Sequence, residues 1–152
     1  MRGEILDRLL SDVLWETTSH YLGVFSRDHI PTSFIPYPSA YVANTDSRFQ
    51  PGTHWVAFYH ESPNALEFFD AYGMHPEVSR FDLSPYIKNL DINSTSIKSL
   101  HSPDCGQYCI FYLYQGSHGI PYTEINSELR SNNNPDLFVP KFSSKIRLSY
   151  NE

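Results

Sequence analysis

The sequence has few cysteines, a shortage of positive charge and no long apolar run, and each shortage narrows what it can be. Its two cysteines, Cys105 and Cys109, stand four positions apart. A bridge there would close too small a loop to staple a fold, so this is no disulfide framework. No run approaches the roughly 20 apolar residues of a membrane span. The opening MRGEILDRLL lacks the apolar core and small-residue cleavage site of a secretory signal. Both absences point to a reducing, intracellular compartment with no membrane partner and no secretion. The sequon Asn93-Ser94-Thr95 is then a chance match. Lys and Arg number 11 against 17 Asp and Glu, a net charge of −6. Gripping nucleic acid requires a basic surface, so this balance argues against a nucleic-acid partner. Lys141, Lys145 and Arg147 form a local basic stripe, read here as a solvated terminal strand.

What is present suits a single domain over residues 1–152. Hydrophobic residues make up 40% of the chain and charged residues 18%, enough apolar content for a core and too little charge for disorder. Aromatics are plentiful at 15%, and they favour strands.

Residues 4–17 carry Ile5, Leu6, Leu9, Leu10, Val13 and Leu14 at helical spacing. Pro31, Pro36 and Pro38 make 30–38 an extended loop. Three strands are predicted over 39–45, 53–60 and 65–72, the last two a hairpin turning at Ser62-Pro63-Asn64. Within 77–90, a short helix is expected from Ser84-Pro85, with Ser84 as cap and Pro85 in the first turn. Residues 91–100 read as a loop leading into a strand. The clearest helix is 105–115, ending before Gly116. Polar 127–135, with Asn132-Asn133-Asn134, reads as a loop, and 138–150 as a final edge strand.

Three features carry chemistry. His54 stands beside Trp55 on one predicted strand, Asp70 stands on the next, and Cys105 opens an apolar helix, followed by Gly106. A thiol becomes a nucleophile as the thiolate. A helix N-terminus favours that anion through its unpaired N–H groups, and a nearby imidazolium lowers the thiol pKa further. His54 would supply the imidazolium and later protonate the leaving amine. Asp70 would fix the tautomer. Adjacent antiparallel strands can bring such a pair together on one face. Gly106 would let substrate approach the backbone, and the Cys105 N–H would serve as one oxyanion donor. Singly, each residue has a plainer reading: a hydrogen-bonded strand His, a turn Asp before Gly, a core Cys. Together, in this order, the catalytic reading leads. Cys109, one turn deeper, reads as packing. Zinc on both cysteines is disfavoured, because C-x3-C is not the knuckle spacing and no H-x3–5-H pair follows. No metal or cofactor is called for.

The segments Ala43-Asn44-Thr45, Gly52-Thr53-His54-Trp55-Val56-Ala57-Phe58, Leu66-Glu67-Phe68-Phe69-Asp70-Ala71-Tyr72-Gly73 and Ser102-Pro103-Asp104-Cys105-Gly106-Gln107 resemble the adenain family of adenovirus maturation proteases. More widely, they resemble the clan that includes the SUMO- and ubiquitin-like-specific proteases. Tyr21-Leu22-Gly23-Val24-Phe25 resembles the Leu-Gly segment after that family's first helix. The resemblance implies an α+β fold, with a central mixed sheet, flanking helices and the nucleophile at the N-terminus of a core helix. It implies a thiol endopeptidase that cuts protein substrates after small, Gly-type residues. The substrates would be viral structural precursors in a host cell, its nucleus or a virion, or else ubiquitin-like modifiers. The short chain favours the viral and transposon group.

One departure stands out. The family places a Gln a few residues before the nucleophile, and no Gln lies between Asp70 and Cys105. His101 falls where it belongs, as a substitute oxyanion donor or as an ordinary loop residue. Trp55 is expected beside His54, shaping the pocket, and Asn44 is expected to order the preceding strand. The cysteine that tethers the adenovirus enzyme's activating peptide has no match here, while a peptide that adds a strand to an edge stays compatible with the sequence. A monomer is expected. Two other readings are weaker: a peptide-binding module that keeps the fold, and an acyltransferase with the same triad, which lacks a phosphate-cradling Gly-rich loop.

Overall fold

Neighbouring runs of the chain bury both of their faces, and that alternation places the core. The computed structural model describes residues 1–31, 34–45, 54–93 and 104–151. Strand β1 is His20–Phe25, β2 Ser39–Asn44, β3 Trp55–Ser62, β4 Ala65–Phe69 and β5 Leu90–Ile92. They form one sheet in the order β1-β2-β3-β4-β5. β1 runs parallel to β2, β3 antiparallel to both its neighbours, and β5 parallel to β4. The C-terminal ends of β1, β2, β4 and β5 therefore share one end of the sheet with the start of β3.

Side chains alternate across a strand. Ala40, Val42, Ala57 and Phe69 enter one core, and Tyr41, Ala43, Val56, Phe58 and Phe68 the other. Helices α1 (Gly3–Leu14), α2 (Cys105–Ser117), α3 (Tyr122–Ser131) and α4 (Pro135–Asn151) fill the first core. Phe81, Leu83 and Tyr86, around a 3-10 turn at Ser84–Asn89, close the second. The result is an α+β fold with a central mixed sheet.

Helix α1 buries Leu6, Leu10, Val13 and Leu14 along one stripe, as its spacing predicts. It stops at Leu14, whose carbonyl accepts both the Thr17 N–H at 3.0 Å and the Thr17 hydroxyl at 2.7 Å. Helix α2 is different. Cys105, Gly106 and the whole run Tyr108–Leu113 are buried, the mark of a helix surrounded by protein. It runs past the expected end at Gln115 to Ser117. The glycine that stops it is Gly119, at φ +88°. The Gly119 N–H bonds the Gly116 carbonyl at 3.0 Å and the Ile120 N–H bonds the Gln115 carbonyl at 3.1 Å, a Schellman cap.

Two expectations fail at the C-terminus. Residues 127–135 are not simply a loop, because α3 runs to Ser131. Its buried residues Tyr122, Ile125, Asn126 and Leu129 have helical spacing, masked in the sequence by the polar residues between them. Residues 138–150 are helix α4 and not an edge strand, so Lys141 and Lys145 project from a helix. Pro135 occupies the first turn, where a missing N–H costs nothing. Pro140 lies inside the helix, and its breaker signal hides the apolar set Phe138, Val139, Phe142 and Ile146. A smaller correction concerns Ser84. The cap position belongs to Leu83, and the Ser84 hydroxyl donates to Asp82 at 2.7 Å.

The second core holds a histidine. His60 is 1% exposed, its Nε2 is hydrogen-bonded to the Tyr41 hydroxyl at 2.9 Å, and burial lowers its pKa from 6.5 to about 4. A histidine buried neutral must charge on unfolding. Its contribution to stability is full above pH 6.5 and is lost as pH falls through about 4. The melting temperature, followed by circular dichroism, is expected to fall across that window. His60→Gln, which cannot titrate, is expected to lose less over the same interval. Equal losses in the two proteins would show that His60 is not the responsible group.

Candidate active site

His54 immediately precedes β3 and Asp70 immediately follows β4, so each sits at a strand end and not within a strand. The β3–β4 pairing, with Ala57 opposite Phe69, brings the two together at the same end of the sheet. His54 Nε2 lies 2.7 Å from Asp70 Oδ1. A carboxylate only accepts, so Nε2 carries the proton. The other ring nitrogen, Nδ1, is buried without an ordinary hydrogen bond. It is left to the thiol of Cys105, which interacts with the imidazole and, with Asp70, raises its pKa. The ring of Tyr72 lies over the imidazole, with centroids 4.5 Å apart.

The electrostatics favour a charged imidazole. Burial is the largest influence on His54 and opposes the charge. The Asp70 hydrogen bond and the Cys105 interaction together outweigh it and hold the pKa up to about 9. The charged form therefore stabilises the fold fully below pH 6.5, and that contribution is lost as pH rises through about 9.

Asp70 is itself fully buried. Its Oδ1 also accepts the Tyr72 N–H at 2.8 Å. Gly73, at φ +71°, closes the turn by donating its N–H to the Asp70 carbonyl at 2.8 Å. One residue here escaped the sequence reading. Asn93, just beyond β5, accepts the Asp70 N–H on its Oδ1 at 2.9 Å and donates its Nδ2–H to the Asp70 carbonyl. A single amide thus holds the Asp70 main chain from both sides. The Tyr122 hydroxyl of α3, which donates to the Phe68 carbonyl at 2.9 Å, supports the same corner. The only signal at Asn93 was a sequon, and burial at 7% exposure leaves it no room for a glycan.

Cys105 is the first residue of α2, 8% exposed, and Cys109 is packed in the core one turn on. Gly106 does not face substrate through its Cα. A Cβ there would meet the Met1 sulfur at 3.2 Å and Leu6 at 3.7 Å, so the glycine lets the N-terminal segment pack against α2. Trp55 is buried, and its indole N–H donates to the Met1 carbonyl at 3.1 Å. It braces the same segment. Asn44 is buried and pairs with Trp55 across β2 and β3. His101, the candidate oxyanion donor, lies outside the described residues.

The geometry predicts how His54 titrates. Its imidazole, followed by NMR, is expected to lose its proton near pH 9, and Asp70→Asn to lower that value by about one to three pH units. Asn93→Ala is expected to lower it too, by less, because the carboxylate stays but loses its fixed aim. An unmoved midpoint in Asn93→Ala would make the amide a packing element only.

No model of a known protein family matches the chain. The protease of bovine adenovirus C serotype 10 is 28% identical over 89 aligned residues, covering 48% of this chain and 45% of that protein. The chain thus spans less than half the length of the curated relative it matches. Two solved structures share its architecture. The central domain of the uncharacterized Legionella pneumophila protein Lpg1148 superposes with a TM-score of 0.57 at 16% identity, covering 95% of this chain and 97% of that one. The SUMO protease Ulp1, solved with its catalytic cysteine oxidized to a sulfinic acid, gives a TM-score of 0.55 at 12% identity over 94% of this chain and 78% of its own. The chain thus shares the fold of these two structures, the SUMO protease Ulp1 among them.

Proposed function

We propose that this protein is a cysteine endopeptidase whose catalytic residues are Cys105, His54 and Asp70. The observation that carries the proposal is His54, bonded to a buried carboxylate through Nε2 and turned to a helix-terminal thiol with its other nitrogen. The likeness to the adenovirus protease supports the same reading.

In the proposed reaction, Cys105 is a thiolate paired with the His54 imidazolium. The sulfur attacks the scissile carbonyl carbon. The oxyanion is met by the N-terminal N–H groups of α2, the Cys105 N–H among them. His54 Nδ1 gives its proton to the departing amine, leaving an acyl-thioester on Cys105. Water then attacks that thioester, His54 takes the water's proton, and the thiolate is regenerated as the acid product leaves. Asp70 keeps Nδ1 directed at the sulfur throughout.

The substrates proposed are proteins cut after small, Gly-type residues, and foremost the structural precursors of a virus or virus-like element. A second reading, deconjugation of a ubiquitin-like modifier, draws on the match to Ulp1 along most of the chain. Strand addition by an activating peptide remains part of the proposal at the level of an exposed sheet edge.

The test is labelling with a Gly-Gly peptide bearing an electrophile, followed by mass mapping. Rapid modification of Cys105 is expected, with none there in Cys105→Ala. His54→Ala is expected to slow it by about 10²–10⁴-fold, the usual worth of a positioned acid–base group. Folded protein that leaves the probe untouched, or reacts equally well without His54, would refute the proposal. Cleavage of capsid-precursor peptides against Gly-Gly-linked modifiers separates the two substrate classes.

A further inference from the structure

The catalytic end of the sheet carries a second feature. A recess of about 210 Å³ is lined by Arg27, Thr45, Val78, Ser79 and Arg80. Two arginines, two hydroxyl-bearing residues and one apolar residue make up its lining, in a chain whose net charge is −6. Among the described residues neither arginine makes an ion pair, and the Nε of Arg27 is buried without a hydrogen-bond partner. Asp28, beside Arg27, has its carboxylate 3.9 Å from His29. A buried guanidinium nitrogen left unpaired costs free energy until an acceptor arrives.

Arg80 is presented under strain. It adopts φ +63°, a left-handed conformation that a non-glycine residue avoids. The turn is held on both sides: the Arg80 N–H bonds the Glu77 carbonyl at 3.0 Å, and the next residue, Phe81, is anchored in the second core and bonded to the Pro76 carbonyl at 3.0 Å. Glycine would suit that backbone better, so the arginine is kept at a cost.

The recess adjoins the candidate active site. Arg27 follows the end of β1 and Thr45 the end of β2. The Thr45 N–H donates to the carbonyl of His54 at 2.9 Å. We propose that the recess between Arg27 and Arg80 binds an acidic side chain of the protein substrate, giving the enzyme a preference for Asp or Glu flanking the scissile segment. This inference rests on the peptidase reading above. Two guanidinium forks with hydroxyls beside them match a carboxylate in geometry and charge. A polyanion such as nucleic acid would meet the acidic remainder of the surface.

The test compares two peptides, acetyl-Glu-Glu-Gly-Gly and acetyl-Gln-Gln-Gly-Gly, by NMR and calorimetry on the full chain. The Glu peptide is expected to shift the side-chain Nε–H signals of Arg27 and Arg80 and to bind about tenfold more tightly. The preference is expected to disappear in Arg80→Gly, which suits the backbone and should fold, and to weaken in Arg27→Gln. Extended substrates carrying Glu should show the same ratio in kcat/KM. Equal binding of the two peptides, or a preference that survives Arg27→Gln combined with Arg80→Gly, would overturn the assignment. So would inorganic phosphate shifting both signals while neither peptide does. Binding is read without turnover, so an unreactive Cys105 would defeat the peptidase reading and leave this result legible by itself.

Discussion

A carboxylate with no exposed surface must be paired where it lies, and Asp70 is such a group. Removing one partner of a buried ion pair typically costs about 3–5 kcal/mol, because the other is left charged and dry. His54 meets that demand at 2.7 Å. The hairpin register sets the pair, the Asp70–Gly73 turn and the Asn93 amide fix the carboxylate's main chain, and Tyr122 ties the same corner to α3. The imidazole's aim at Cys105 is thus a consequence of burying one charge. Positioning by the fold of this kind is what the proposed attack, sensitive to about 1 Å, requires.

The thiol is fixed by equally indirect means. Helix α2 is buried along nearly its whole length, so its axis is set by packing on every side. Phe69 stacks on Tyr112 with centroids 4.6 Å apart, and Phe111 meets Phe142 at 4.8 Å, which locks the helix between sheet and α4. Truncating a ring such as Phe111 would cost about 3–5 kcal/mol. Only the first turn of α2 reaches the site. Gly106 gives room there for Met1 and Leu6, so the N-terminal segment and Trp55 press on the helix that Cys105 opens. Two residues that looked like substrate surface turn out to brace the N-terminal segment against α2.

What could be read in the sequence follows a physical division. His54, Asp70 and Cys105 stood out in the sequence because each has a distinct chemistry and a local context: a predicted strand for each of the first two and a helix start for the third. The structure brings the three together. Strands β2, β3 and β4 were legible from aromatic and β-branched runs broken by Pro, Gly and Asn. Helices α3 and α4 were not. Their apolar stripes are narrow, and Asn132-Asn133-Asn134 and Pro140 send louder local signals than the periodicity does. Tertiary packing on α2 overrides them. Asn93 was illegible for a different reason: its role lies in two hydrogen bonds to a residue 23 positions away, and nothing local marks it.

The acidic net charge would argue against a thiolate if charge were spread evenly, but the sheet is polarised. The His54 imidazole, the N-terminus of α2 and both arginines stand near one end. Glu61, Glu67 and Asp91 line a cavity of about 370 Å³ at the other. There, burial and then the neighbouring Asp91 and Glu61 push the Glu67 carboxyl up to about 7 against a hydrogen bond from Tyr112. Along β3, seven residues separate His54 from Glu61, roughly 23 Å at about 3.3 Å per residue. That is more than twice the Debye length of about 8 Å at physiological salt. Glu61 is thus screened from His54, while the imidazole interacts with Cys105 and the thiol opens helix α2. What bears on the thiol of Cys105 is local: the His54 imidazole, itself paired with Asp70, and the N-terminus of α2, with Asp104 at its cap position.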